Sequence, residues 1–131
     1  MNYSEFNSWL QSPSKTLVMG VLNLTPDSFS DGGLFTTKEK ALDQCLKMIN
    51  EGADLIDVGG ESTRPGSDPL SINEELDRTI PIIEKIRSIT DCTISIDSYK
   101  SEVVEAALNV GANIVNDISG LTFDHNMAEL I

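Results

Sequence analysis

The chain has 131 residues, 40% of them hydrophobic, and carries 21 Asp and Glu against 9 Lys and Arg for a formal charge of -12. That length supports one domain with a real core rather than two. The acidic balance argues against nucleic acid or an anionic membrane as a partner, and any anionic substrate must be met locally by an arginine, a helix N-terminus or a metal ion.

Residues 1–15 show no basic start followed by an apolar core, and no run approaches the roughly 18 apolar residues of a membrane span. A cytoplasmic protein with no membrane partner is the expectation. The same segment is polar, with Phe6, Trp9 and Leu10 as packing anchors, and reads as a lead-in helix or a loose arm. Residues 17–24 are rich in Val and Leu without alternation, as in a strand buried on both faces of a parallel sheet. The strand must stop at Thr25-Pro26-Asp27-Ser28, and Gly32-Gly33 follow; an ordinary turn-rich loop and a site loop would both use these residues.

Leu42, Cys45, Leu46 and Ile49 predict an amphipathic helix over 38–51, ended by Gly52. Leu55-Ile56-Asp57-Val58 reads as a second buried strand, running into the loop Gly59-Gly60-Glu61-Ser62-Thr63-Arg64-Pro65-Gly66. Ser71 and Glu74 form a capping-box pattern opening a helix with an apolar face of Leu76, Ile80, Ile83 and Ile86, in which Pro81 predicts a kink or a late start. A third, more alternating strand covers 93–97. Val103, Val104, Ala107 and Leu108 form the stripe of the next helix, which Gly111 ends. A fourth strand covers 113–118, and Asp124 is the expected N-cap of a last helix beginning near Asn126. Cys45 and Cys92 have no Cys or His at metal-ligand spacing and read as buried thiols in a reducing compartment.

Gly52-Ala53-Asp54-Leu55-Ile56-Asp57 matches Gly111-Ala112-Asn113-Ile114-Val115-Asn116 in residue type at nearly every position. Strand and helix alternate at about 30 residues per unit, the unit length of a TIM (β/α)8 barrel, of which the chain supplies about four units. Residues 1–16 would be an N-terminal arm and 17–131 the half barrel. A doubly wound open sheet fits the same alternation, although the fingerprint GxGxxG is absent after the first strand.

Each predicted strand ends on a hydrogen-bonding side chain: Asn23, Asp57, Asp97, and Asn116 with Asp117. Barrels keep their active sites at that end, while Asp57 or Asp117 taken alone would equally serve as a helix N-cap. Amides and carboxylates together suit a flat heterocycle with ring N–H donors and a carbonyl. Arg64, the one cation in these loops, has a fork that suits a carboxylate or phosphate, and equally a local surface ion pair. The single histidine, His125, has no surrounding partner motif.

The stretch Val21-Leu22-Asn23-Leu24-Thr25-Pro26-Asp27-Ser28-Phe29-Ser30-Asp31-Gly32-Gly33 resembles the first signature of the dihydropteroate synthase family. Ile56-Asp57-Val58-Gly59-Gly60-Glu61-Ser62-Thr63-Arg64-Pro65-Gly66 resembles the second, and Ile96-Asp97-Ser98 and Asn116-Asp117-Ile118-Ser119-Gly120 the next two strand ends. The resemblance implies a pterin-binding TIM barrel that condenses p-aminobenzoate with 6-hydroxymethyl-7,8-dihydropterin pyrophosphate, with Mg2+ as cofactor, sulfonamides as inhibitors and a homodimer as the full-length state. By that resemblance Asp97 and Asn116 hold the pterin edge and act in catalysis, with Asp57 also on the substrate. Asn23 sits at the magnesium and pyrophosphate end. Phe29, Thr63, Arg64 and Pro65 surround the aminobenzoate. Asp97 would stabilise the ring cation left when pyrophosphate departs. His125 stands where the family usually has proline. Residues that the family supplies from four further strands have no counterpart before Ile131, so the expectation is part of a longer enzyme. The competing readings are a non-catalytic pterin-binding or scaffold half barrel completed by another chain and a pterin-dependent methyltransferase, which fits the first two signatures less well.

Overall fold

In the computed structural model, which describes residues 1–26, 37–62 and 65–131, the strands β1 (Met19–Asn23), β2 (Leu55–Gly59), β3 (Thr93–Asp97) and β4 (Ile114–Asn116) form one sheet. All pairs are parallel and follow chain order, β1-β2-β3-β4. A doubly wound sheet reverses its strand order partway, whereas one that adds every strand on the same side builds the arc of a barrel. The helices are α1 (Tyr3–Gln11) before β1, then α2 (Thr37–Asn50), α3 (Ile72–Ile89), α4 (Ser101–Asn109) and the short α5 (Met127–Leu130), each after its strand. The pattern is that of the first four units of a (β/α)8 barrel.

The helix-facing side of the sheet carries the core. Leu22, Ile56, Val58, Ile94 and Ile96 are closed over by Cys45 of α2, Ile83 and Ile86 of α3, and Val103 and Val104 of α4. At about 1.5–3 kcal/mol for each large aliphatic side chain removed from water, this layer is the main stabilising contribution. Gly20 keeps it thin: a Cβ there would lie 2.9 Å from Met48 Sδ. Cys45 and Cys92 are buried and free, and burial, with Cys92 nearby, pushes the Cys45 thiol up to about 12.

Several boundaries differ from the sequence reading. The α2 stripe centres on Ala41 and Cys45, with Leu42, Met48 and Ile49 at its edges. The Ser71–Glu74 capping box is present, so α3 starts on time. It also runs through Pro81, because Ile82, Ile83 and Ile86 are all buried directly afterwards, and their burial outweighs the ~3 kcal/mol that an interior proline costs. In β3 the alternating Thr93 and Ser95 are not on a wet face, since both are buried. Strand β4 is three residues long, leaving Asp117 in the following loop. The lead-in takes the helical alternative, with Asn2 and Glu5 forming its own capping box.

The internal repeat is structural as well. After α2, Gly52 (φ 109°) donates to Ile49 O and Ala53 to Met48 O; after α4, Gly111 (φ 115°) donates to Leu108 O and Ala112 to Ala107 O. Both are Schellman ends, in which only glycine takes the left-handed position without strain. The next residue then clips onto the neighbouring strand. Asp54 N–H donates to Val18 O while its carboxylate accepts from Val18 N–H, and Asn113 makes the same pair of bonds with Ile94.

Candidate active site at the carboxyl ends of the strands

Side chains alternate faces along a strand, so register decides which residues share the inner face. One row across the sheet is Asn23, Gly59, Asp97 and Asn116; the row one pleat deeper is Val21, Asp57, Ser95 and Ile114. Three of the four expected polar ends therefore lie side by side. Asp57 is the exception: β2 continues to Gly59, which places Asp57 two residues below the rim and 3% exposed.

Gly59 makes the room. A Cβ at this position would stand 3.3 Å from Asp97 Oδ2, tighter than a side chain ordinarily tolerates, so the missing side chain lets the Asp97 carboxylate lie over β2. Asp57 uses its deeper position to orient a neighbour. Its Oδ2 accepts from Asn116 Nδ2 at 3.1 Å, which turns the amide oxygen of Asn116 the other way, as an acceptor. Asp57 Oδ1 and, beside it in the same row, Ser95 Oγ are buried without a hydrogen-bond partner among the described residues. Such atoms cost about 1–3 kcal/mol when left unmet.

Asp97 sits in negative company. Burial first, then the charges of Asp57, Glu75, Asp117 and Glu61, push its carboxyl up to about 6. It is thus a carboxylate at neutral pH, held under electrostatic pressure that a ligand with N–H donors or positive charge would relieve. Asp117 is occupied otherwise. Its Oδ1 accepts from Ser119 N–H and Oγ–H and its Oδ2 from Leu121 N–H, shaping a loop in which Gly120 and Leu121 take φ of 61° and 67°. Neither Asp57 nor Asp117 is a helix N-cap.

Behind the rim lies an ion cluster. Lys100 Nζ donates to Glu61 Oε2 at 2.7 Å, Glu75 Oε2 at 2.6 Å and Leu70 O at 2.8 Å. Tyr99 OH donates to Glu61 Oε1, and the Lys100 ammonium lies 5.0 Å from the Tyr99 ring centroid. Burial works against the charge on both partners. Even so, the bonds from Lys100, Tyr99 and Leu70 hold Glu61 below the usual carboxylate value, and the two carboxylates raise Lys100.

Comparison with known proteins settles the family. The family described as pterin binding enzyme matches residues 19–131. The chain belongs to the pterin-binding enzymes. The dihydropteroate synthase of Bacillus subtilis is 50% identical to it over 123 residues, covering 94% of this chain and 43% of that protein. The structure of Clostridium difficile dihydropteroate synthase in the presence of pteroic acid matches with TM-score 0.86 at 51% identity, over 90% of this chain and 45% of that one. The Xanthomonas albilineans dihydropteroate synthase with 4-aminobenzoic acid matches with TM-score 0.85 at 45% identity, over 89% and 42%. The chain thus spans less than half the length of these relatives.

At the rim the register brings Asn23, Asp97 and Asn116 into one row, with Asp57 beneath them. Pro65 is exposed, in the turn with Gly66. Phe29, Thr63 and Arg64 lie outside the described residues. His125 is exposed, just before α5. Asp124 serves two helix starts: its Oδ1 accepts from Asn126 N–H at 3.0 Å, just before α5 as expected, and its other oxygen reaches α4. Its Oδ2 accepts from Ser101 N–H at 2.8 Å, at the start of α4, where Lys100 provides no side-chain cap. Among the described residues no helix is long and apolar enough to cross a membrane.

Sequence reasoning missed the Lys100 cluster. Glu75 reads as an exposed first-turn acid favoured by the helix dipole. A signal was nevertheless present, because Glu75, Thr79, Ile82 and Ile86 follow i, i+4, i+7, i+11, so the buried stripe of α3 runs through a glutamate. A glutamate on a core face calls for a cation.

Proposed function

We propose that the chain carries the first half of the site of a dihydropteroate synthase, condensing p-aminobenzoate with 6-hydroxymethyl-7,8-dihydropterin pyrophosphate to give dihydropteroate and pyrophosphate. The observation that carries this reading is the row Asn23, Gly59, Asp97, Asn116, in which a strained carboxylate and an amide turned by Asp57 stand side by side at the rim. The relatives' complexes with pteroic acid and 4-aminobenzoic acid support the same substrate pair.

The Asp97 carboxylate accepts ring N–H donors of the pterin, and the Asn116 amide oxygen accepts a further one. As the diphosphate departs, positive charge grows on the pterin methylene and ring, and Asp97 lies where it stabilises that charge. Phe29, Thr63, Arg64 and Pro65 are assigned to the aminobenzoate by family resemblance.

Asn23 suits Mg2+ as a single hard oxygen donor exposed at the end of β1. Among the described residues no cluster of three acidic, His or Cys side chains could hold a metal unaided, in keeping with an ion that takes one or two protein oxygens and completes its shell with phosphate and water. When bound, it supplies charge neutralisation on the leaving diphosphate.

The test is dihydropteroate formation by the purified chain given both substrates and Mg2+. Product is expected to vanish in Asp97→Ala and to fall in the wild type as pH drops through about 6, where Asp97 gains its proton. Product that survives Asp97→Ala would sink the assignment. A second reading, a half barrel completed by another chain, is favoured by the exposure of Met19 and Val21, which share the inner-face rows with Thr93 and Asp57. Activity that rises faster than linearly with chain concentration supports pairing. In either case the natural assembly would be cytoplasmic and, for the full-length enzyme, a homodimer.

A further inference from the structure

We propose that Lys100 is a positioning residue of the site: it clamps the β2–α3 loop to α3 and α4, and so holds Gly59, Gly60 and Glu61 in place beside Asp97. The proposal rests on the reading of Asp97 as a ligand-binding group, although its test needs no substrate.

The geometry is that of a clamp. An ammonium group has three protons, and all three are used on three separate partners: Glu61 in the loop just after β2, Leu70 O at the loop's far end, and Glu75 in the first turns of α3. Glu61 Oε2 closes the ring by accepting from Leu70 N–H at 3.1 Å, so one carboxylate ties both ends of the loop to one lysine. The side chains of Lys100, Glu61 and Glu75 are 11%, 14% and 2% exposed. Gly60 seats the loop from the other side. A Cβ there would come 3.0 Å from Thr79 Cγ2 and 3.3 Å from Glu75 Cγ, and Gly60 O accepts from Arg78 Nη1 at 3.0 Å.

Buried ion pairs add little net stability, because desolvation cancels most of the attraction; what they can fix is geometry. Here the geometry fixed is that of the segment bordering Asp97. The groups acting on Asp97 come from every neighbouring element: Asp57 from β2, Glu61 from the loop, Glu75 from α3 and Asp117 from the β4–α5 loop. Asn116, beside it on β4, is uncharged. Two of the four acids are the two that Lys100 holds.

The experiment compares the full wild-type chain with Lys100→Met, Lys100→Arg and Glu61→Gln. Hydrogen exchange is read at Leu70 N–H, with Ile94 N–H in the core sheet as internal reference. The Asp97 carboxyl is titrated by carbon NMR. In Lys100→Met, Leu70 should exchange at least ~10-fold faster with Ile94 unchanged, as for a local opening, and Lys100→Arg should restore much of the protection. In Glu61→Gln the Asp97 midpoint should fall, since one facing negative charge is gone. Unchanged Leu70 protection in Lys100→Met would overturn the proposal. Equal loss at Leu70 and Ile94 would too, because Lys100 would then merely hold the fold. If Lys100→Met does not fold, Glu61→Gln decides: faster Leu70 exchange with a lowered Asp97 midpoint supports the clamp, and absence of either refutes it.

Discussion

The two ends of the sheet use polar residues in opposite ways. At the amino end each polar side chain answers a backbone group: Asp54 answers Val18, Asn113 answers Ile94, and Thr93 donates through both its N–H and its hydroxyl to Met1 O. Arg87, from α3, donates to Gly111 O, Cys92 O and the Asn113 side chain. At the carboxyl end the polar groups crowd one another. Asp57 Oδ1 and Ser95 Oγ lack partners among the described residues, Asp97 is pushed up to about 6, and Leu121 sits at φ 67°. The difference follows from what each end must do. Satisfied groups stabilise, whereas groups left under strain keep free energy that a ligand can release on binding.

Removing the amino-end answer should break the comparison most clearly. Arg87→Ala strips partners from Gly111 O, Cys92 O and Asn113 Oδ1 together, and is expected to cost about 3 kcal/mol, or roughly 10 °C in Tm. Thermal melts of the purified variant check this, and a loss below 1 kcal/mol would mean that water replaces the arginine.

The same kind of change at the carboxyl end should have the opposite sign. Folding raises the Asp97 carboxyl from its ordinary 3.8 to about 6, so its ionised form is disfavoured in the folded state. The resulting penalty is absent below the unfolded value, grows as pH rises from there to the folded one, and is complete above it. Asp97→Asn, which cannot ionise, should therefore be more stable than wild type by about 1–2 kcal/mol at pH 7.5, a shift reduced by solvent screening at this half-buried site. It should approach wild type as pH falls below about 3.8 and, on the proposed function, lose dihydropteroate synthesis at every pH. Urea melts at the two pH values separate the outcomes, and an Asn variant less stable than wild type at pH 7.5 would show that Asp97 is a structural residue.

Much of this contrast was legible in the sequence, because it rests on local rules. The Schellman glycines Gly52 and Gly111, the Ser71–Glu74 box and the buried run of β2 announce themselves by residue type and period, whereas β1, which reads as buried on both faces, buries only Leu22 and leaves Met19, Val21 and Asn23 exposed on the inner face. What was not legible depends on register and on distant partners. That β2 runs on to Gly59, setting Asp57 one pleat too deep to share the rim, follows from pairing with β3. That Asp124 also caps α4, and that Lys100 reaches back 39 and 25 positions to Glu61 and Glu75, follows only from how the units stack.

The smallest expected effect tests the repeat itself. Asp54 and Asn113 occupy equivalent positions and each accepts from the backbone of the preceding strand, but only Asp54 also pairs with a lysine, Lys15. The Lys15 bond first, then the Val18 N–H, hold the Asp54 carboxyl below its usual value. Its contribution is therefore present above the unfolded carboxylate range and is lost as pH falls through the depressed folded value. Asp54→Ala removes both bonds and should cost about 1 kcal/mol at pH 7. Asp54→Asn turns the first copy of the repeat into the second. It keeps an oxygen for Val18 and gives up only an exposed ion pair, so it should cost no more than ~0.5 kcal/mol at pH 7 and shed the acid-sensitive part of the stability below pH 4. If Asp54→Asn is as damaging as Asp54→Ala, the carboxylate charge stabilises this position, and the two halves of the repeat are alike in shape but not in physics.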